Sequence, residues 1–395
     1  MLSGIRVGSV SGIEVFVDWS LMIIFFLVTF SLGAGLFPAW HPEWSAALIW
    51  STALAAAVLF FVSVFIHELS HALVGRAMGI EIRRITLFIF GGMAHLEREP
   101  HTWRAELWMA IVGPVVSLLL GGLFLLVGGL ALGESRFDPE SPEATLARMG
   151  PLTTLFLWLG PINIVLGLFN LVPGFPLDGG RVLRAITWGI TGNLKLATQW
   201  ASRLGQFFAW VLIGIGIAMM LGVRVPIFGT GLLSGIWLAF IGWFLNQAAL
   251  MSYRQLLVRE SLDDVPVSRV MQSQFTTVES TMTLSRLVDE HLLHSDQRAY
   301  PVVDGFDLVG LVCLEDLRKV PREAWERTRV SDIMTPASKL AQVAPTEDTS
   351  DALTTLTNRG VNQLPVVENG RVRGLVRRED ILRWLALRGD RALVP

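Results

Sequence analysis

From Trp44 to Met78 the chain is apolar for longer than a lipid bilayer requires, and three ionisable residues, His67, Glu68 and His71, interrupt the run. Few folds accommodate that combination. Each such group typically costs roughly 2.5 to 3.5 kcal/mol to insert at the centre of a membrane helix, so a run carrying three of them is expected to use them. In a helix the two histidines, four residues apart, project from one face about one turn apart, which suits two imidazoles gripping a single Zn²⁺. Glu68 is too close in sequence to be an obvious third ligand, but it is well placed to take a proton from a water that the metal activates. The competing reading is a core helix whose histidines are merely hydrogen-bonded, and the insertion cost weighs against it. At 1.5 Å per residue, Trp50 to His67 spans about 25 Å, which sets the motif near the far side of the hydrocarbon core.

The excess of apolar residues is uneven. The whole chain is 52% hydrophobic and 17% charged, too greasy for an ordinary soluble enzyme of this length. Up to about Ser252 apolar runs alternate with short polar breaks; beyond it charges become frequent and apolar runs shrink to strand length. A membrane domain therefore precedes a soluble one. The net charge of -2 offers nothing to nucleic acid, and no nucleic-acid partner is expected. Cys313, the only cysteine, excludes an intramolecular disulfide and a thiolate-based zinc site, which leaves histidine and carboxylate as ligands.

Taken in order, Met1 to Val17 reads as a short polar leader without the features of a signal peptide. Six transmembrane helices are expected, at about Asp18 to Leu36, Trp44 to Met78, Glu106 to Leu132 with a kink at Gly113-Pro114, Leu152 to Leu171, Gly205 to Leu221 and Gly231 to Leu250. Arg76, Arg83, Arg84, Arg98 and Arg104 after the second, and Arg181, Arg184, Lys195 and Arg203 after the fourth, mark cytoplasmic connections. Both termini and the soluble part then lie in the cytoplasm. The acidic loop holding Glu134, Asp138, Glu140 and Glu143 falls outside. Between Arg76 and Arg104, two extended runs joined at Gly91-Gly92 read as a hairpin, which either offers an edge strand to an extended peptide or only seals the domain. Pro173, Gly174 and Pro176 break the fourth helix and deliver Asp178 into the interior, as the third zinc ligand, as the N-cap of the next helix, or as both.

The soluble part contains a repeat. VSRVMQS from Val267 matches VSDIMTP from Val330, and YPVVDGFDLVGLVCLEDL from Tyr300 matches LPVVENGRVRGLVRREDI from Leu364. Each unit reads as helix, two strands, helix.

His67-Glu68-x-x-His71 in a membrane helix, with Asn163, Asn170 and Pro176-Leu177-Asp178-Gly179-Gly180-Arg181 closing a later one, closely resembles the site-2 protease family of intramembrane zinc metalloproteases. The resemblance spans Met1 to Ser252. It implies zinc held by His67, His71 and Asp178, Glu68 as general base, and Asn170 as a substrate-orienting or oxyanion-stabilising group. Ser117, after Gly113-Pro114, stands where many members carry Asn. The tandem unit from about Leu262 to Leu387 resembles a pair of CBS domains, which in many proteins bind adenosine-containing nucleotides. ATP, ADP, AMP or another adenosyl compound is the candidate ligand. Asp316 and Asp380 match the ribose-contacting aspartates, while Cys313 and Arg377 replace the hydroxyl residues that commonly stand three positions earlier.

These readings together predict a polytopic α-helical membrane domain of six transmembrane helices, residues 1–252, a linker at 253–261, and a soluble α+β tandem CBS pair at 262–321 and 325–390. The expected activity is regulated intramembrane proteolysis of a transmembrane protein substrate, gated by the CBS pair, in a bacterial or archaeal cell membrane. A homodimer through the CBS pair is a further expectation. The rivals are a CBS-regulated transporter, which leaves the histidine spacing unexplained, and a non-cutting membrane-protein binder.

Overall fold

A computed structural model describes residues 4–89, 91–96, 100–132, 146–225, 230–295 and 297–387, without the side chains of 94–96. The acidic loop from Glu134 to Glu143 and Arg98 lie outside the described residues. Met1–Tyr253 and Arg254–Pro395 form two compact units.

The expected polar leader is instead part of a sheet. β1 (Gly4–Val10) turns through Ser11 and Gly12, both at positive φ, and pairs antiparallel with β2 (Ile13–Asp18). β2 runs parallel to β3 (Ile82–Phe88), which pairs antiparallel with β4 (Gly91–Leu96), in the order β1-β2-β3-β4. β1 is exposed along nearly all its length, so it shows no half-buried alternation; β2 does alternate, burying Ile13 and Val15. Ile13, Ile82, Ile85 and Leu87 pack with Val64, Ala72 and Met109 of the helices below, so the sheet sits against the segment that carries the histidines.

Asp18 caps α1 (Trp19–Ser31) by accepting from the Ser20 amide at 2.9 Å; a π-helical turn, Leu32–Leu36, leads into α2 (Phe37–Trp40). Then follow α3 (Ala46–Ala77), α4 (Trp103–Leu132), α5 (Pro151–Asn170), α6 (Asp178–Thr191), α7 (Leu194–Met220) and α8 (Leu232–Leu262). With α1 and α2 counted as one stretch, six helices among the described residues are long and apolar enough to cross a membrane. α4 remains one helix across Gly113-Pro114. Glycines bring α4 and α5 together: a Cβ on Gly167 would stand 2.9 Å from Pro114 O, and one on Gly121 would stand 2.6 Å from Ile164 Cγ1. Such small-residue contacts replace the hydrophobic drive that helices lose in lipid.

One basic residue counted as a cytoplasmic marker has another job. Arg184 is buried, and its Nε donates to Glu106 Oε1 at 2.6 Å, with Glu106 itself fully buried. The pair pins α6 to the start of α4.

In the second unit β5 (Val278–Glu279), β6 (Ala299–Asp304), β7 (Asp307–Cys313) and β8 (Thr335–Pro336) form one sheet, and β9 (Gln363–Glu368) pairs with β10 (Arg371–Arg377). The short helix Leu314–Leu317 follows β7, and Arg378–Leu387 follows β10. Packing is offset from the sequence repeat. Leu262, Val265 and Val267, ahead of the first repeat's strands, join the core of Leu364, Val366 and Ile381 from the second; Val330, which opens the second, joins Leu284, Tyr300 and Val312 of the first. Each repeat lends its leading segment to the other.

Candidate metal centre

His67 and His71 lie on α3, buried, with Asp178 in the first turn of α6. The helical spacing predicted from the sequence holds. The break after α5 returns the backbone to the site, with Phe175 N donating to Ala201 O at 3.1 Å. The helix cap is Leu177, not Asp178, and the Asp178 carboxylate turns to the histidines. An acidic group in a first helical turn is also favoured by the helix dipole.

His67 Nε2, His71 Nε2 and Asp178 Oδ2 form a triangle with all three sides 3.1 Å. Nitrogen and oxygen ligands of one zinc, about 2.0 to 2.1 Å from it in tetrahedral arrangement, stand roughly 3.3 Å from each other. The donor set and its spacing therefore fit zinc. They are the group of three among the described residues whose ligand atoms gather closely enough to hold a metal ion.

α4 supplies what the motif could not show. Met109, Gly113 and Ser117 follow one another at helical four-residue spacing and face the two histidines. His71 Nδ1 donates to Met109 O at 2.5 Å, and His67 Nδ1 lies 2.9 Å from Ser117 Oγ. Between them a Cβ on Gly113 would overlap His71 Nε2 and stand 2.8 Å from His67 Nε2, so only glycine leaves room for both rings. The usable signal in the sequence was Gly-Pro inside a membrane run, read there as a kink and as the marker before Ser117.

Glu68 lies against β4: a Cβ on Gly92 would overlap its Cγ and stand 2.8 Å from Cδ. Gly92 thus brings strand backbone onto the carboxylate, whereas a Cβ on Gly91 would meet nothing within 4 Å. The strand begins at Gly91, so both glycines are strand residues and not the turn. Asn170 Nδ2 donates to Leu166 O at 3.0 Å within its own helix. Asn163 is fully buried, with Nδ2 on Leu159 O at 2.8 Å.

In the second unit Asp316 Oδ2 accepts from Cys313 N at 3.1 Å and from the thiol at 2.8 Å, while Oδ1 accepts from Lys319 at 2.9 Å. Burial alone would raise the Asp316 carboxyl; the thiol and ammonium beside it outweigh that and lower it. Asp380 receives a two-pronged bond from Arg377, both prongs 2.7 Å. Both aspartates that matched ribose-contacting positions are thus engaged within their own turns. A cleft of about 800 Å³ lies close by, its wall including Arg298, Arg318, Arg377, Arg383 and Trp325.

The Peptidase family M50 profile matches residues 55–212, and the CBS domain profile matches residues 267–323 and 330–387. A Synechocystis protein is 35% identical over 98% of this chain and 96% of its own; Rip3 of Mycobacterium tuberculosis is 33% identical over 98% of this chain and 93% of its own. Both bear the name of zinc metalloproteases. A solved site-2 protease of Methanocaldococcus jannaschii is 27% identical, covers 63% of this chain and 95% of its own, and has a TM-score of 0.41. With relatives this similar along nearly its whole length and a zinc-compatible triad whose two histidines lie on a helix long and apolar enough to cross a membrane, the chain belongs to peptidase family M50, the site-2 proteases, in the form that carries a tandem CBS pair.

Proposed function

We propose that this protease hydrolyses a peptide bond in or near a transmembrane segment of a membrane protein, as a step of regulated intramembrane proteolysis. The observation that carries the reading is the convergence of His67, His71 and Asp178 beside a carboxylate, Glu68, that lies against strand backbone. Zinc, when bound by the three ligands, supplies a Lewis acid for water and for the scissile carbonyl. Glu68 takes the proton of the attacking water and returns it to the leaving amine. Asn170 is the group proposed to orient the carbonyl or steady its developing charge. A helical substrate shields its carbonyls, so it unwinds before attack, and the unwound piece adds to the edge of β4 next to Glu68. The β4 edge is the reason Gly91 and Gly92 belong to the site.

The arginine bias supports a reading in which this chemistry, both termini and the CBS pair lie on the cytoplasmic side. There the pair gates access, with ATP, ADP, AMP or another adenosyl compound in the arginine-lined cleft, where guanidinium groups suit phosphate or carboxylate. A homodimer through the pair belongs to the same proposal.

The test compares membranes of source cells expressing wild type or Glu68→Gln by quantitative proteomics. A single-span protein fragment that accumulates only in the mutant, and is cut inside its transmembrane segment by wild type, is the expected result. No such fragment under several growth states overturns the proteolytic reading of this site. For the CBS pair, calorimetry of the full chain with ATP, ADP, AMP and S-adenosylmethionine should give binding to at least one; absence of heat with all four removes the nucleotide version.

A further inference from the structure

We propose that Ser117 is the positioning residue for His67, holding the imidazole proton on Nδ1 so that Nε2 is presented to zinc. The inference rests on reading His67, His71 and Asp178 as the metal site. A ligating imidazole needs its other nitrogen anchored, because that bond fixes both the tautomer and the ring's orientation. For His71 the anchor is the Met109 carbonyl, which can only accept and so fixes the proton on Nδ1.

For His67 the corresponding atom is Ser117 Oγ, 2.9 Å from Nδ1 on a fully buried side chain. A hydroxyl both donates and accepts. With its own hydrogen turned away from the ring, Oγ accepts from Nδ1. The same helix thus anchors both histidines at two-turn spacing, from backbone at Met109 and from a side chain at Ser117, with Gly113 leaving space between for the rings. A backbone carbonyl cannot be removed by substitution. Ser117 is the half of this device that mutation reaches.

The experiment measures zinc affinity of the purified full chain by competition with a chromophoric chelator, alongside the thermal midpoint of the zinc-free protein. Ser117→Ala should weaken zinc by about 10- to 100-fold, as loss of such an outer partner does elsewhere, with the zinc-free midpoint nearly unchanged. Ser117→Thr, which keeps the hydroxyl, should restore affinity. His67→Ala is the control. If it loses zinc while Ser117→Ala binds as tightly as wild type, Ser117 merely fills space and the inference is overturned. If His67→Ala also keeps wild-type affinity, the metal-site reading itself falls. Should the alanine variant not fold, Ser117→Thr against Ser117→Val carries the same test, and a valine that binds zinc as tightly as threonine overturns the proposal.

Discussion

Aspartate opens a helix in both units, with opposite results. Asp178 meets imidazoles from residues 111 and 107 positions away, groups that present lone pairs to a shared point. Asp316 and Asp380 also sit in the first turn of a helix, yet they meet their own neighbours three residues off: Cys313 and Lys319 for the first, Arg377 for the second. Donors and cations on the same turn satisfy a carboxylate where it stands; imidazoles from distant positions, on the proposed reading, leave it to be completed by a metal ion. On the reading proposed above, a motif position becomes a metal ligand through where its partners come from.

The largest expected effect tests that contrast directly. Asp178→Ala should abolish stoichiometric zinc together with proteolysis, whereas Glu68→Gln should retain zinc and lose about 10²- to 10⁴-fold in turnover, read by metal analysis and a cleavage assay. Zinc retained by Asp178→Ala would make Asp178 no different from Asp380. Next is Gly113→Ala, whose new methyl would occupy the space of His71 Nε2; zinc affinity should fall by about 10- to 100-fold in a chain that still folds, and a wild-type value would show that the rings are not held as described. Third, Glu106→Ala removes the buried carboxylate that Arg184 donates to and should cost about 3 to 5 kcal/mol in unfolding experiments, with much of the loss recovered by Glu106→Leu combined with Arg184→Met. An unchanged midpoint would show that α6 is held by other means.

The smallest effect lies in the soluble unit. Burial, reinforced by the Asp316 carboxylate, pushes the Cys313 thiol above its ordinary value, so less of it is thiolate at any given pH. Alkylation of this sole cysteine near pH 8.5 should run slower than for an exposed thiol, and Asp316→Asn should speed it. Equal rates in wild type and variant would mean that the local pairing of Asp316 is looser than that of Asp178.

The parts of the site that were legible in the sequence are those that lie along one helix or at a backbone break. His67, Glu68 and His71 announce themselves by spacing and by the cost of placing charge in lipid; Asp178 follows from Pro173, Gly174 and Pro176. Met109 was not legible, and Ser117 was marked only as a position where many members carry Asn; their contacts with the histidines depend on the register between two helices, which nothing in either helix alone specifies. Glu106 could have been suspected by the argument applied to His67, since an acid within a membrane-grade run needs a partner. Arg184 was then available, but the positive-inside pattern had already given it a role. β1 escaped because a strand exposed along its length lacks alternation, whereas the alternation of β2 could have been read.

The crosswise packing of the CBS repeats bears on how such a chain can change over generations. Val267 is needed by the core around Val366, and Val330 by the core around Tyr300, so loss of either repeat removes part of the survivor's interior. A deletion that spared one repeat would leave not a half-sized sensor but a segment with exposed apolar surface, a target for quality-control proteases. The same holds for a cut placed just after Leu262, which also packs into the second core from the end of α8. The pair is therefore inherited or lost whole, and with it the last turn of the final membrane helix.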